Sequence, residues 1–387
     1  MGAFNPQKFV DPETLKRVSF KNLVLLLTTT ANGYLFQKRE DGKPARMAVT
    51  DEESEFDFEQ LVELLLTPEE GYPDELADAL YHIAELADSD SIHLLQDDLR
   101  DALAVADLGE DPSHADLALH AWLKHRDAVE RVMGRQFLLR PKSFITYLGP
   151  AVEGPDTVAL DEAWRVGIET YLAAWFTKKV DSNFVRVLPY DRGDSIWFLV
   201  RHAQKAQRRG VIKQGKPTST VERPDKYDIV VYTPKRDELA LHADTKGERE
   251  LYASAFGMFL FEGLRKFTDK GKYTLAPLLD GPDCLDAAGV AGIQSVVLRQ
   301  IQVGWGGAYN DIETRSSDDI FASLKARNAT VPSRGLFSAT FDVLFTDAKR
   351  ARKLTIRTPS TAKYDRKGDK DSIDEWMTLR KFIRPKV

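Results

Sequence analysis

With 387 residues, 43% of them hydrophobic and 29% charged, the chain is long enough for two or three cores and too apolar for global disorder. Its longest early apolar run, Leu23 to Leu27, is far too short to span a bilayer, and the start lacks the pattern of a secretory leader. A lone Cys284 excludes an internal disulfide and a cysteine metal site, which suits a cytoplasmic location. The net charge of −6 hides an asymmetry: residues 51–130 hold 24 acidic side chains against Arg100, Lys124 and Arg126, so the rest of the chain carries +15.

In chain order, Asn22 to Thr28 and Gly33 to Phe36, followed by a charged turn at Lys38 to Lys43, predict a small β hairpin. Helical spacing follows at Phe58, Leu61 and Leu65, then at Leu76, Leu80, Ile83 and Ala87, with further helices over Ser91 to Ala106 and Ser113 to Met133. Gly149 to Pro155 is rich in Gly and Pro and is taken as a domain boundary. Asp161 to Lys179 predicts an amphipathic helix, with Trp164, Ile168, Leu172 and Trp175 on one side. Strands come next at Phe184 to Leu188 and Ile196 to Val200, then a basic loop, a hairpin and a helix over Gly247 to Phe261. Beyond Pro277 the pattern predicts a strand over Ser295 to Val303, a Gly-rich loop at Gly304 to Gly307 and a short helix over Asp318 to Arg327. Paired strands over Gly335 to Phe345 and Arg352 to Thr358 and a terminal helix over Ser372 to Ile383 complete the chain. The fold class is α+β, in three parts: a mostly helical acidic domain with an N-terminal β hairpin over 1–150, an α/β core with a central hairpin over 151–270, and a basic β-rich region with a terminal helix over 271–387.

The central hairpin concentrates the chemistry. Its runs Tyr227 to Tyr232 and Leu239 to Lys246 flank the turn-forming Thr233 to Glu238. Alternation along the second run puts His242, Asp244 and Lys246 on one face, and Leu239, Leu241 and Ala243 on the other. An Asp on one strand with Asp-x-Lys on the next suits a Mg²⁺-dependent phosphodiesterase, in which Asp228 and Asp244 hold the metal and the Lys246 ammonium stands beside the attacking water. Between these strands and the preceding pair, Arg201, Lys205, Arg208, Arg209, Lys213, Lys216 and Arg223 face only Glu222 as a counter-charge, the footprint of a polyanion-binding segment. With His202, these side chains are the candidate phosphate contacts.

The order of helix, strands bearing Asp and then Asp-x-Lys, and a following helix resembles the core of the PD-(D/E)xK nuclease superfamily over roughly Asp161 to Phe261. The resemblance implies Asp228 and Asp244 as metal ligands, Lys246 as the catalytic lysine and Glu162 or Glu169 as the helix carboxylate. Asp225, in Pro224-Asp225, is an alternative ligand. It also implies the setting of a defence system. Leu199 to Gln204 resembles the opening strand of the histidine phosphatases, but the rest of that pattern is missing. The five histidines between His82 and His125 lack metal-site spacing, and no phosphate-binding Gly-rich loop or Gly-x-Ser-x-Gly elbow occurs. The expected function is a nucleic-acid-associated protein with metal-dependent nuclease activity. The alternative is a non-catalytic subunit whose acidic helical domain recruits a protein partner.

Overall fold

The computed structural model describes residues 6–385 except 40, 41, 49, 51, 70, 88, 105–107, 109, 110, 139, 214, 269, 270, 307 and 366–368. Twelve α-helices lie among them, mostly N-terminal, and a large antiparallel sheet fills the C-terminal part, which makes the fold α+β. No described helix is long and apolar enough to cross a membrane. By their contacts the residues form two compact units, Met1–Gln136 with Arg209–Thr220, and Phe137–Arg208 with Val221–Val387.

The first unit contains α1 (Pro12–Arg17), α2 (Phe20–Leu35), α3 (Phe58–Leu66), α4 (Asp74–Leu86), α5 (Ser89–Asp98), α6 (Arg100–Ala104), α7 (His114–Lys124) and most of α8 (Arg126–Leu138). Side-chain caps start several of these: Asp11 accepts from Thr14 N at 3.0 Å, Asp57 from Gln60 N at 2.9 Å, and Ser113 with Asp116 makes a reciprocal capping box. The β hairpin expected at Asn22 to Phe36 is instead α2. Leu23, Leu26, Leu27, Thr30 and Tyr34 are buried at helical spacing, and the hydroxyls of Thr28 and Thr30 donate to Val24 O and Leu26 O at 2.8 Å. Bonding those hydroxyls within the helix offsets the β preference of the Thr run that suggested a strand. The single helix expected over Ser113 to Met133 breaks at His125, whose backbone leaves helical geometry between α7 and α8.

The second unit is built on a ten-stranded sheet in the order β2-β3-β6-β7-β1-β12-β11-β10-β8-β9, antiparallel at every junction. The strands are β1 (Ser143–Leu148), β2 (Val185–Asp191), β3 (Ile196–Ala203), β6 (Asp225–Thr233), β7 (Glu238–His242), β8 (Ile293–Gly306), β9 (Asp311–Ser316), β10 (Leu336–Phe345), β11 (Arg352–Arg357) and β12 (Thr361–Lys363). The chain between β3 and β6 forms a two-stranded ribbon apart from this sheet, β4 (Gln207–Lys213) with β5 (Lys216–Glu222), of which residues 209–220 group with the first unit. The Gly149 to Pro155 segment joins β1 to α9 (Glu162–Val180) inside this unit, and the strands before and after residue 270 share the one sheet.

Helices α9 and α10 (Lys246–Phe259) bury one face of β3, β6 and β7. Phe198, Val200, Val230, Tyr232, Leu239 and Leu241 meet Ile168, Leu172, Phe176, Leu251 and Phe256 there. The alternate residues Trp197, Leu199, Ile229 and Val231 form a smaller core with Phe144 on the opposite face. Helices α11 (Ile320–Ala326) and α12 (Lys370–Leu379) complete the unit; Trp376 of α12 stacks on Phe382 at 5.0 Å over the β8, β10 and β11 core.

Candidate functional site

The face of a strand decides which polar groups meet. On β3, His202 has the parity of Phe198 and Val200, and on β6, Lys226 and Asp228 have that of Val230 and Tyr232, so all three point at the helices. There Phe176 of α9 stacks on the His202 ring at 4.0 Å, and α10 supplies Glu248 and Tyr252, one turn apart on one helix face. His202, Asp228 and Tyr252 are at most 1% exposed.

These groups form one network. Asp228 Oδ2 accepts from the Tyr252 hydroxyl at 2.8 Å and lies 3.0 Å from His202 Nε2. Lys226 Nζ donates to Glu248 Oε1 at 2.8 Å and stands 3.3 Å from Asp228 Oδ1 and 3.2 Å from Asp244 Oδ2. The Lys226 contact with Asp228 is an ion contact only: Oδ1 is buried and accepts no hydrogen bond. Burial works against the Lys226 ammonium, but Asp228, Glu248 and Asp244 outweigh it, so its pKa is raised and the charge is held. Burial and then the charge of Asp228 lift the Tyr252 phenol well above its ordinary value, which keeps it a hydrogen-bond donor. One donor atom each from His202, Asp228 and Glu248 falls within 4.8 Å of the others, the spacing of a metal-binding trio.

The expected Asp228, Asp244, Lys246 triad is only partly assembled. The hairpin exists, with Ile229 opposite His242 and Tyr232 opposite Leu239, but β7 ends at His242. His242 lies on the sheet face opposite Asp228 and contacts Ser143 O at 2.9 Å. Asp244 follows the strand, is largely exposed, and reaches Asp228 only through Lys226. Lys246 is the first residue of α10, exposed, 3.5 Å from Glu250 and apart from the cluster. The cause is a capping box: the Thr245 hydroxyl accepts from Glu248 N at 3.1 Å and the Glu248 carboxylate from Thr245 N at 2.8 Å, turning the chain into a helix where alternation predicted strand. Glu162 pairs with Arg165, and Glu169 holds Arg165, Arg186 and Val187 N, so neither joins the cluster. Asp225 is engaged by Arg201 at 2.5 Å. The sequence reading missed Lys226, Glu248 and Tyr252 as cluster members; Thr245-x-x-Glu248 was the legible signal for one of them.

The candidate phosphate contacts divide. His202 is buried in the network, Arg201 is tied to Asp225, and Arg223 binds Asp181 at 2.8 Å and Val180 O at 3.2 Å. Lys205, Arg208, Arg209 and Lys216 are exposed on the ribbon and its approach, and Lys213 lies on β4. Ile212 and Val221 are each 70% exposed on the same ribbon. A separate cavity of about 250 Å³ touches none of the cluster. Phe144, Trp197, Tyr364 and the buried Lys272–Glu238 pair are among its walls, with 2.7 Å between Nζ and Oε2. No family model matches the sequence, and no curated protein matches it.

Proposed function

We propose that this chain binds nucleic acid, gripping the phosphate backbone with the β4–β5 ribbon and its approach. The observation that carries this reading is the exposed, two-stranded arm itself. Its flanking strands are buried, yet Arg208, Arg209 and Lys216 on the ribbon and Lys205 on its approach are exposed. A two-stranded ribbon is marginal in isolation and fits a nucleic-acid groove, where cations gain by releasing condensed counterions. The test is fluorescence anisotropy with labelled duplex and single-stranded DNA and RNA. Binding that weakens when Arg208 and Lys216 become Ala supports the reading, and equal affinity for wild type and double variant removes it.

A second reading, Mg²⁺-dependent phosphodiester hydrolysis, is favoured by the gathering of Asp228, Asp244 and Glu248 around one ammonium. In it Lys226, not Lys246, stands beside the water that adds to phosphorus as the ester P–O bond breaks. Incubating wild type and Asp244→Asn with DNA and RNA under Mg²⁺, Mn²⁺ or chelator tests it. Metal-dependent cleavage lost in the variant supports hydrolysis, and no cleavage under any metal leaves a binding protein.

A further inference from the structure

We infer that His202, Asp228 and Glu248 bind one divalent first-row transition ion, such as Mn²⁺, Co²⁺ or Zn²⁺. This ligand set differs from the Asp228 and Asp244 pair expected for Mg²⁺, and it rests on neither nucleic-acid binding nor hydrolysis.

Four observations converge. First, a nitrogen and two carboxylate oxygens from three different elements lie within 4.8 Å of one another in the interior. Second, the imidazole is held as metal-binding imidazoles are held. His202 Nδ1 lies 3.0 Å from Ala203 O, a carbonyl that can only accept, and this ring orientation turns Nε2 toward Asp228 Oδ2 at 3.0 Å. Either a ring proton or a shared cation can stand between these two atoms, and a shared cation is the one that would also engage Glu248. Two donors on one octahedral edge, each about 2.1 Å from an ion, lie about 3.0 Å apart, which is the separation found here. Third, Asp228 Oδ1 is buried and accepts no hydrogen bond. Fourth, the two buried carboxylates of Asp228 and Glu248 share a single ammonium, Lys226, which also reaches the exposed Asp244.

The donor set chooses the class of ion. Imidazole nitrogen beside two carboxylates suits Mn²⁺ through Zn²⁺, whereas Mg²⁺ prefers oxygen alone and retains most of its water. Lys226 already spans from Glu248 out to the exposed Asp244, so its ammonium has a surface acid to retain as the ion enters beside Asp228.

The test uses the full chain, stripped with chelator and titrated with Co²⁺ under visible absorption and calorimetry. One Co²⁺ per chain is expected, displaced by Zn²⁺ but not by a hundredfold excess of Mg²⁺. His202→Gln should weaken binding at least tenfold, and Lys226→Met should hold or tighten it. Should His202→Gln fail to fold by circular dichroism, Cu²⁺ bound to wild type gives the same answer, because electron paramagnetic resonance must show nitrogen coupling from one imidazole. Absence of stoichiometric Co²⁺ binding, equal competition by Mg²⁺, or Cu²⁺ without nitrogen coupling overturns the inference and leaves a second ring proton as the bridge between His202 and Asp228. DNA anisotropy on the same samples is read separately, so loss of metal binding and loss of nucleic-acid binding are distinguishable.

Discussion

The salt dependence of nucleic-acid affinity measures how many arm cations meet phosphate. Arg201 and Arg223 are committed to Asp225 and Asp181, and the other five cations of the segment, Lys205, Arg208, Arg209, Lys213 and Lys216, are the ones proposed to meet phosphate. With Z of about 5, log K should fall against log salt with a slope of about −4.5, so affinity for B-DNA drops about 500-fold between about 50 and 200 mM salt. Replacing Arg208 and Lys216 by Ala should reduce the slope to about −2.7 and the drop to about 40-fold. Neither side chain holds up a core, since both are exposed, so the variant should keep the thermal stability of the wild type. The assay is anisotropy of a labelled 20-base-pair duplex at four salt concentrations. A wild-type slope shallower than about −2, or one that the double variant leaves unchanged, refutes the claim that the ribbon carries the phosphate contacts.

Other perturbations test the scaffold. Asp237 is fully buried and takes two hydrogen bonds from Arg265 at 2.9 and 2.6 Å, so Arg265→Met should cost about 3–5 kcal/mol in urea unfolding; a loss under about 1 kcal/mol would show that the pair is not needed. Trp376 is fully buried, stacks on Phe382 and donates to Asp286 O at 3.1 Å, and Trp376→Ala should cost about 3–5 kcal/mol by the same measurement. Burial, then the charge of Asp280, pushes the Cys284 thiol up to about 12. At about pH 9 iodoacetamide should therefore label the native chain at least about a hundredfold more slowly than the unfolded chain. The unfolded thiol also ionises first, so stability should fall as pH rises past about 8.5, and comparable labelling rates would contradict the burial of this group.

Much of the fold was legible where local pattern and burial agree. Asp161 followed by Trp164, Ile168 and Leu172 announced α9, and those residues pack the sheet as the spacing requires. The strand pair at Leu336–Phe345 and Arg352–Arg357 was likewise written in alternation. The Thr-rich run at Thr28 to Thr30 misled, because β-branched residues read as strand until their hydroxyls are seen to bond back along a helix. Pairing across the sheet was not legible at all. Strand β1 sits between β7 and β12, far away in sequence, and alternation states which face a side chain takes without stating which strand lies beside it.

The site was half legible for the same reason. Asp228 and Asp244 stood out as acids on a hairpin, and the structure does bring both to one cation, but that cation is Lys226, two residues from Asp228 on its own strand. Period 2 puts Lys226 and Asp228 together, and period 3.6 puts Glu248 and Tyr252 together; only the packing of α10 on β6 joins the pairs. His202 adds a third element, and the sequence offered it as a strand-end phosphate contact because nothing local shows that Phe176 will cover it. A buried polar group reveals itself through partners from distant segments, whereas an exposed cation on a ribbon needs none. The arm that carries the proposed nucleic-acid contacts could thus be read from the chain, and the enclosed cluster of His202, Asp228 and Glu248 needed the fold.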